Sequence, residues 1–532
     1  MKNNNEKFIE DITASVRQDF LDRQQQRKSF ESQWRLNNNF LLGNQYVGID
    51  NFDDLQEVQR AFYWQERKVF NHIAPIIENR IAKLTSIKPI MDILPSSSNI
   101  DDQKIASLSQ DILRSTYDKL NLGQTISKAI VWSEITGTSF YKVCWNNTSG
   151  KKVFDKDGKQ MFEGEIEIDA LSPFEIYPDN NYVEDINKCE SIIHAKAYTT
   201  KSIKNIWGVD VKGENVDIVE GISKGVGHKT NVSQAIVIER YEMPSVEYPE
   251  GRLIVVCQDK LLYIGELPYI NLSDGKRGFP FIKQVCLRVA GCFWGKSVID
   301  KLIPIQRAYN AVKNRKLEYI NRLSMGVLTV EDGSVDIDDL MKDGLQPGKI
   351  IVYKQGSMAP KYLSEEGLPN DFEKEEEKLL SEFSEVSGVF NILSNQLSTT
   401  SMSGVALELL LEQDRDRLNS SIEEIDKAVK DVAKMILRLY KQFAVMPRLL
   451  RIANKTDKQD FVYFKNTDLG VEDIVFTTDS SLSENISTKR DNILKLLSSD
   501  VFKNQDGKLD EKTKLKILEI FGINLFAETK QE

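Results

Sequence analysis

Two segments of opposite charge, separated by a short β-like stretch, restrict what this chain can fold into more than any other feature. Across residues 296–324 there are seven basic residues, Lys296, Lys301, Arg307, Lys313, Arg315, Lys316 and Arg322, against Asp300 and Glu318. Across residues 371–388 the balance reverses, with Asp371, Glu373, Glu375, Glu376, Glu377, Glu382 and Glu385 against Lys374 and Lys378. Apolar residues in both segments recur at helical spacing, and residues 327–330 and 348–353 between them read as strands. The pattern Ser297-x-x-Asp300 resembles a capping box at the start of a helix ~42 Å long, and Pro304 predicts a kink or a restart in its first turns. A single charge run is commonly no more than a solvated helix face. Complementary strips lying side by side, within one chain or between neighbouring copies in a ring, select antiparallel register and partner, although each exposed pair contributes only ~0–1 kcal/mol. The residues expected to pair are Lys313, Arg315, Lys316 and Arg322 with Glu375, Glu376, Glu377 and Glu382.

Residues 389–403 hold no charged side chain, and nine of the fifteen are Ser, Thr, Asn or Gln, in a chain that is 28% charged. This predicts a mobile loop. A helix of about 42 residues, ~63 Å long, is expected over residues 404–446, stopped by Pro447. Its apolar positions Leu418, Ile422, Ile425, Val429, Val432 and Ile436, continued by Leu439 and Phe443, alternate spacings of four and three. Such a seam suits a buried core helix and helix packing between subunits equally. Residues 447–532 read as a small terminal module with strands near 461–464 and 474–476 and helices near 485–499 and 509–521.

Upstream, Phe8, Ile9, Ile12, Val16 and Phe20 predict a helix over 5–42 that closes at Gly43, with further helices over 68–87 and 101–120. From residue 140 the pattern alternates, with a turn signal at Asp155-Lys156-Asp157-Gly158 and strands at 235–241, 253–258 and 261–264. Residues 1–295 thus form one α+β module, and the whole chain is α+β with helix predominating.

Composition removes several function classes. The 532 residues carry 70 Lys+Arg against 80 Asp+Glu, a net charge of -10, whereas tight DNA binding through phosphate neutralisation needs a basic surface. Five cysteines without a CxxC pair fit neither a disulfide framework nor a structural zinc site and suggest a reducing compartment. No signal peptide, spanning helix or membrane association is expected, since no run of about 18 apolar residues occurs. Gly291-Cys292-Phe293-Trp294-Gly295-Lys296-Ser297 looks like a phosphate-binding loop, but only three residues separate its glycines and Ala290 stands where the first glycine belongs. His72, His194 and His228 are scattered. No catalytic residue, metal or cofactor is expected, and the chain reads as a protein that is not an enzyme.

Several short motifs, taken in order, resemble the portal (head-to-tail connector) proteins of tailed bacteriophages, most of all those of short-tailed phages. They are Arg27 with Trp34 and Asn38-Asn39-Phe40-Leu41-Leu42-Gly43-Asn44-Gln45-Tyr46; Val69-Phe70-Asn71-His72-Ile73-Ala74-Pro75-Ile76; Gly137-Thr138-Ser139-Phe140; and Leu171-Ser172-Pro173-Phe174-Glu175-Ile176-Tyr177-Pro178-Asp179. More specific are Phe293-Trp294-Gly295-Lys296-Ser297 followed by Ile305-Gln306-Arg307-Ala308-Tyr309-Asn310, and Ser403-Gly404-Val405-Ala406-Leu407. The resemblance implies a wing over 1–295, stem helices over 296–324 and 366–388, a clip over 325–365, a tunnel loop over 389–403, a long wing helix over 404–446 and a crown over 447–532. It further implies a homo-oligomeric ring, dodecameric in this family, made in the host bacterial cytoplasm and placed at one capsid vertex of the virion. Double-stranded DNA is packaged through such a ring by the terminase, whose large subunit contacts it, and is later ejected. Head-tail adaptor or tail proteins and the major capsid and scaffolding proteins are the other partners it implies. On this mapping Asn391, Asn395, Gln396, Ser398, Thr399, Thr400 and Ser401 line the DNA channel. An acidic chain with a neutral constriction suits a conduit, because tight phosphate contacts would stall movement. Two other readings compete: a generic oligomeric helical scaffold or adaptor joined through the 418–443 seam, and a nucleotide-binding enzyme using Gly291 to Ser297.

Overall fold

A computed structural model describes residues 2–60, 65–86, 92–94, 99–154, 160–214, 233–272, 275–325, 327–338, 350–363, 370–388, 418–445, 447–453, 459–469 and 475–477. Helix α1 (Lys2–Leu41) ends where Gly43 turns with a φ of 87°, a conformation glycine adopts without strain. A hairpin of β1 (Val47–Ile49) and β2 (Leu55–Glu57) follows. Helix α2 (Ile73–Ser86) starts later than the spacing predicts, because residues 65–72 are extended and the Asn71 carboxamide caps the helix, accepting from the amides of Ile73 and Ala74 at 3.1 and 3.2 Å. Helices α3 (Ile100–Lys119) and α4 (Leu122–Thr136) are joined through Asn121 in the left-handed region.

Two antiparallel sheets follow. One has three strands in the order β13 (Phe281–Val285), β4 (Thr138–Asn146), β7 (Glu165–Leu171). The other has five, in the order β12 (Lys260–Gly265), β11 (Arg252–Cys257), β10 (Gln234–Glu242), β9 (Ser191–Thr199), β8 (Ile176–Pro178). Strands β5 (Lys152–Phe154) and β6 (Gln160–Phe162) pair across the expected turn, whose residues 155–159 lie outside the described residues. Helix α5 (Thr200–Trp207) covers the end of β9. The middle of α1 lies on the five-stranded sheet, where Val16 and Phe20 pack on Tyr177, Ile193 and Ile254.

The sheets are also joined by buried charge. Lys142 of β4 reaches Glu239 of β10 at 2.6 Å, and Glu239 also meets His194 Nδ1 and the Tyr241 hydroxyl, each at 2.9 Å. Burial opposes both charges, yet the Lys142 ammonium beside Glu239 holds that carboxyl far below the usual carboxylate range. Removing one partner of such a pair leaves an uncompensated buried charge, so the pair fixes how the two sheets meet.

Helix α6 (Val298–Met325) runs through Pro304 as one helix. It is followed by β14 (Val327–Thr329), which pairs with β15 (Lys361–Leu363), and by α7 (Asp371–Ser387). The strand expected over 348–353 is absent among the described residues: 350–353 carry no strand, and β15 takes its place because the two helix ends bring residues 327 and 363 together. Helix α8 (Asn419–Phe443) begins after a turn at Leu418 and ends three residues short of the expected 446, and residues 404–417 lie outside the described residues. Strands β16 (Arg448–Ala453) and β17 (Gln459–Phe464) pair, and β18 (Val475–Thr477) pairs with β3 (Asp92–Leu94), so the described part of the terminal segment is built onto the N-terminal module. The expected helices near 485–499 and 509–521 lie outside the described residues.

The 418–436 seam is buried inside the chain. Leu418, Ile422, Ile425, Val429, Val432 and Ile436 are all buried in the largest core, with Leu113 of α3, Ile130 of α4 and Tyr141 and Val143 of β4. Replacing Ile436 by Ala should therefore cost about 2–5 kcal/mol, read as a lowered urea midpoint with unchanged slope.

Candidate functional site

The two charged helices pack antiparallel. Tyr309 and Tyr319 of α6 meet Phe383 and Phe372 of α7 respectively, so contacts advance along one helix as they retreat along the other. Of the expected pairing residues, Lys313 and Lys316 converge on Glu376: Lys313 forms an ion pair with it, Lys316 Nζ lies 3.4 Å away, and the Tyr309 hydroxyl donates to it at 3.4 Å. Lys316 also approaches Glu373 at 3.7 Å. Partial burial pushes the Glu376 carboxyl up, but the two ammoniums outweigh it and hold it below the ordinary value. The pairing is therefore present at neutral pH and lost as pH falls through that lowered value. Arg315, Glu375 and Glu377 are exposed and Glu382 half-buried, without an ion pair among the described residues, and the Arg322 side chain lies outside them. The strips thus pair at one station within the chain and leave charge on their outer faces.

The inner face of α6 carries a second feature. Gln306, Asn310, Asn314 and Glu318 recur every fourth residue and accept, through Oε1, Oδ1, Oδ1 and Oε1, from the amides of His72, Phe70, Lys68 and Glu66, each at 3.0 Å. Gln306 and Asn314 donate back to the Phe70 and Lys68 carbonyls at 2.7 and 2.9 Å, and Asn310 donates to Gln45 at 2.6 Å. His72 stacks edge-on against Tyr309 at 4.6 Å, and burial pushes its imidazole below the ordinary value. Three motifs, Gly43 to Tyr46, Phe70 to Pro75 and Gln306 to Asn310, therefore meet at one junction. The four-residue polar repeat on α6 was the available sign of it.

A second junction gathers the aromatic motifs. Trp34 lies 4.8 Å from Trp294 and 5.3 Å from Phe174, and Phe140 lies 6.0 Å from Trp294. Arg27, buried to 2% exposure, donates to the carbonyls of Pro173, Phe174 and Ile176 at 2.9, 3.1 and 2.7 Å and stacks on Tyr177 at 3.7 Å. Its guanidinium supplies the donors that this irregular segment lacks.

The segment Gly291 to Ser297 belongs to the same junction. A Cβ on Gly295 would stand 2.1 Å from Val285 Cγ1 and 2.5 Å from the Gly137 carbonyl, and one on Gly137 would stand 2.5 Å from the Gly295 carbonyl, so two backbones touch there. The Ser297 hydroxyl is buried, donating to the Glu134 carbonyl and accepting from the Ile299 amide, while Asp300 accepts from Asn37 at 2.6 Å and also from the Ser297 backbone amide, the return half of the expected capping box. Lys296 is exposed. Gly295→Ala should cost about 1–3 kcal/mol or abolish soluble expression, whereas Gly291→Ala, with open space around it, should cost about 1 kcal/mol for its positive φ. Thermal melting distinguishes the two. Equal sensitivity would revive a phosphate-loop role for Gly291.

Asn391, Asn395, Gln396, Ser398, Thr399, Thr400 and Ser401, and the motif at 403–407, lie outside the described residues. Among the described residues no group of three or more His, Cys, Asp or Glu could hold a metal, and no helix is long and apolar enough to cross a membrane. The five cysteines are free. No curated protein matches the chain. A family model, the phage P22-like portal protein, matches residues 21–485, a span that includes both junctions and the paired helices, and the chain belongs to that family of bacteriophage head-to-tail connectors of the capsid vertex.

Proposed function

We propose that the chain is one subunit of a closed ring, dodecameric in keeping with the family resemblance, that forms the DNA conduit of a capsid vertex. Alongside family membership, the observation that carries this reading is the antiparallel pair α6–α7, whose charge is only partly matched within the chain. Glu375, Glu377 and Glu385 on one side and Lys301 and Arg315 on the other are exposed without an ion pair among the described residues. A head-to-tail interface of acidic face against basic face either closes or grows into a filament. In this reading α6 and α7 are the stem, 325–365 the clip, 389–403 the tunnel loop, 404–446 the long wing helix and 447–532 the crown. Terminase drives double-stranded DNA through the ring during packaging, the same channel serves ejection, and adaptor or tail proteins dock beneath. The scaffold alternative loses its surface, since the seam it needs is buried inside the subunit. The nucleotide alternative loses its cradle, since Gly295 and Ser297 are packed structural residues. The chain acts as a structural element without catalysis.

Electron-microscope images of the purified protein should show rings with a central hole; a population of monomers at high concentration would sink the proposal. Glu375→Lys with Glu377→Lys should raise the concentration needed for ring assembly roughly tenfold, or ~1.4 kcal/mol, an effect that shrinks in high salt. Glu247→Lys, at an exposed loop, should leave assembly unchanged. Equal responses in sedimentation velocity would remove the charge-matching argument. Converting Asn395, Ser398 and Thr400 together to Lys should leave rings intact, steepen the salt dependence of DNA binding by about 0.9 for each further phosphate neutralised, and slow packaging. Packaging at the original rate would count against a channel-lining loop.

A further inference from the structure

One buried guanidinium ties its own helix to three other elements. Arg80 of α2 is 3% exposed, and its ion-pair partner Glu134 of α4 is 1% exposed. Arg80 Nε donates to Glu134 Oε2 at 2.8 Å and a second nitrogen to Oε1 at 3.3 Å. The remaining donors point elsewhere: one goes to the Ser387 carbonyl at 3.1 Å, at the last residue of α7, and another to Ser421 Oγ at 3.5 Å, in the first turn of α8. Ser421 in turn donates to the Cys286 carbonyl at 3.3 Å, and the Cys286 thiol donates to Glu134 at 3.3 Å. The carbonyl at the end of α7 has no helical acceptor role left, and the Arg80 donor occupies it.

We propose that Arg80 is a positioning residue: a latch that holds the end of α7 against the start of α8 and so fixes the separation of the chain ends that flank residues 389–417. The latch also joins those ends to α2 and α4. Because α2 follows the extended segment bound along α6, displacement of α6–α7 is transmitted through Arg80 to α8 and the core around it. This coupling needs no ring and stands apart from the conduit proposal.

The test uses the full-length protein with nitroxide labels, carried by unnatural amino acids, at exposed Glu385 and Glu423, diluted with unlabelled chain. Pulsed electron-electron resonance then reads the distance distribution between the two helix ends. Arg80→Met combined with Glu134→Leu replaces the buried pair by apolar groups of similar size, an exchange that commonly preserves stability. This variant should melt close to the parent yet show a distribution roughly doubled in width. Arg80→Lys, which keeps the charge but cannot reach all three partners, should give an intermediate width. Ser421→Ala, which leaves the ion pair whole, should broaden it least. If the double variant does not fold, the two single variants decide. Unchanged width in the folded variants, or broadening that appears only together with global unfolding, would overturn the proposal.

Discussion

A helix can satisfy the backbone of an extended segment only when its side chains repeat at the segment's own pitch, and α6 meets that condition. Four residues of helix rise ~6.0 Å and two residues of strand rise ~6.6 Å, so Gln306, Asn310, Asn314 and Glu318 keep step with every second amide from His72 back to Glu66. The mismatch of ~0.6 Å per step accumulates to ~2 Å over three steps, which sets a natural length for such a ladder. Each rung satisfies a part-buried backbone donor, a hydrogen bond worth ~0.5–1.5 kcal/mol. Helix α2, the turn at Gly43 and the stacking of His72 on Tyr309 all inherit their position from it. The neighbouring face of α6, which carries Tyr309, Lys313 and Lys316, receives α7, whose Phe383 also packs on His72 at 5.4 Å.

Magnitudes separate what holds the α6–α7 pair from what selects its neighbours. The ion pairs around Glu376 lie partly exposed and contribute of order 0–1 kcal/mol each, while Tyr309, Leu379 and Phe383 are buried apolar contacts worth about 1.5–3 kcal/mol apiece. Apolar burial and the ladder hold the helices in place. Charge on the outer faces, without an ion pair among the described residues, contributes little to holding the two helices together.

Elsewhere the molecule depends on buried and part-buried cations that reach several acceptors at once. Arg27 closes off three carbonyls between Pro173 and Ile176, Arg23 does the same for Tyr177 and Ser191, and Lys142 joins the two sheets through Glu239. Each sits where backbone runs irregularly or where two layers meet, and there an apolar side chain would leave polar groups unpaired. Such contacts are satisfied in one arrangement of the layers and so fix how those layers meet.

Local spacing and composition are legible without coordinates, and the sequence by itself determined the helices at α1, α3, α6 and α7, most of the strands from β4 to β12, the opposed charges of α6 and α7 and the neutrality of 389–403. The same reading failed where a distant partner decides the outcome. Residues 68–72 share the helical spacing of α2, yet they are extended because amides there are claimed by α6, some 240 residues away. The seam on α8 suited two environments equally until β4, α3 and α4 were seen to cover it. Gly291 and Gly295 look alike in sequence; only the crossing of the Gly137 backbone shows that Gly295 has no room for a side chain. Arg80 and Glu134 give no local signal, since a buried ion pair is defined by what surrounds it. Tertiary structure decided these points because each depends on which unsatisfied group, brought from far along the chain, arrives next to which side chain.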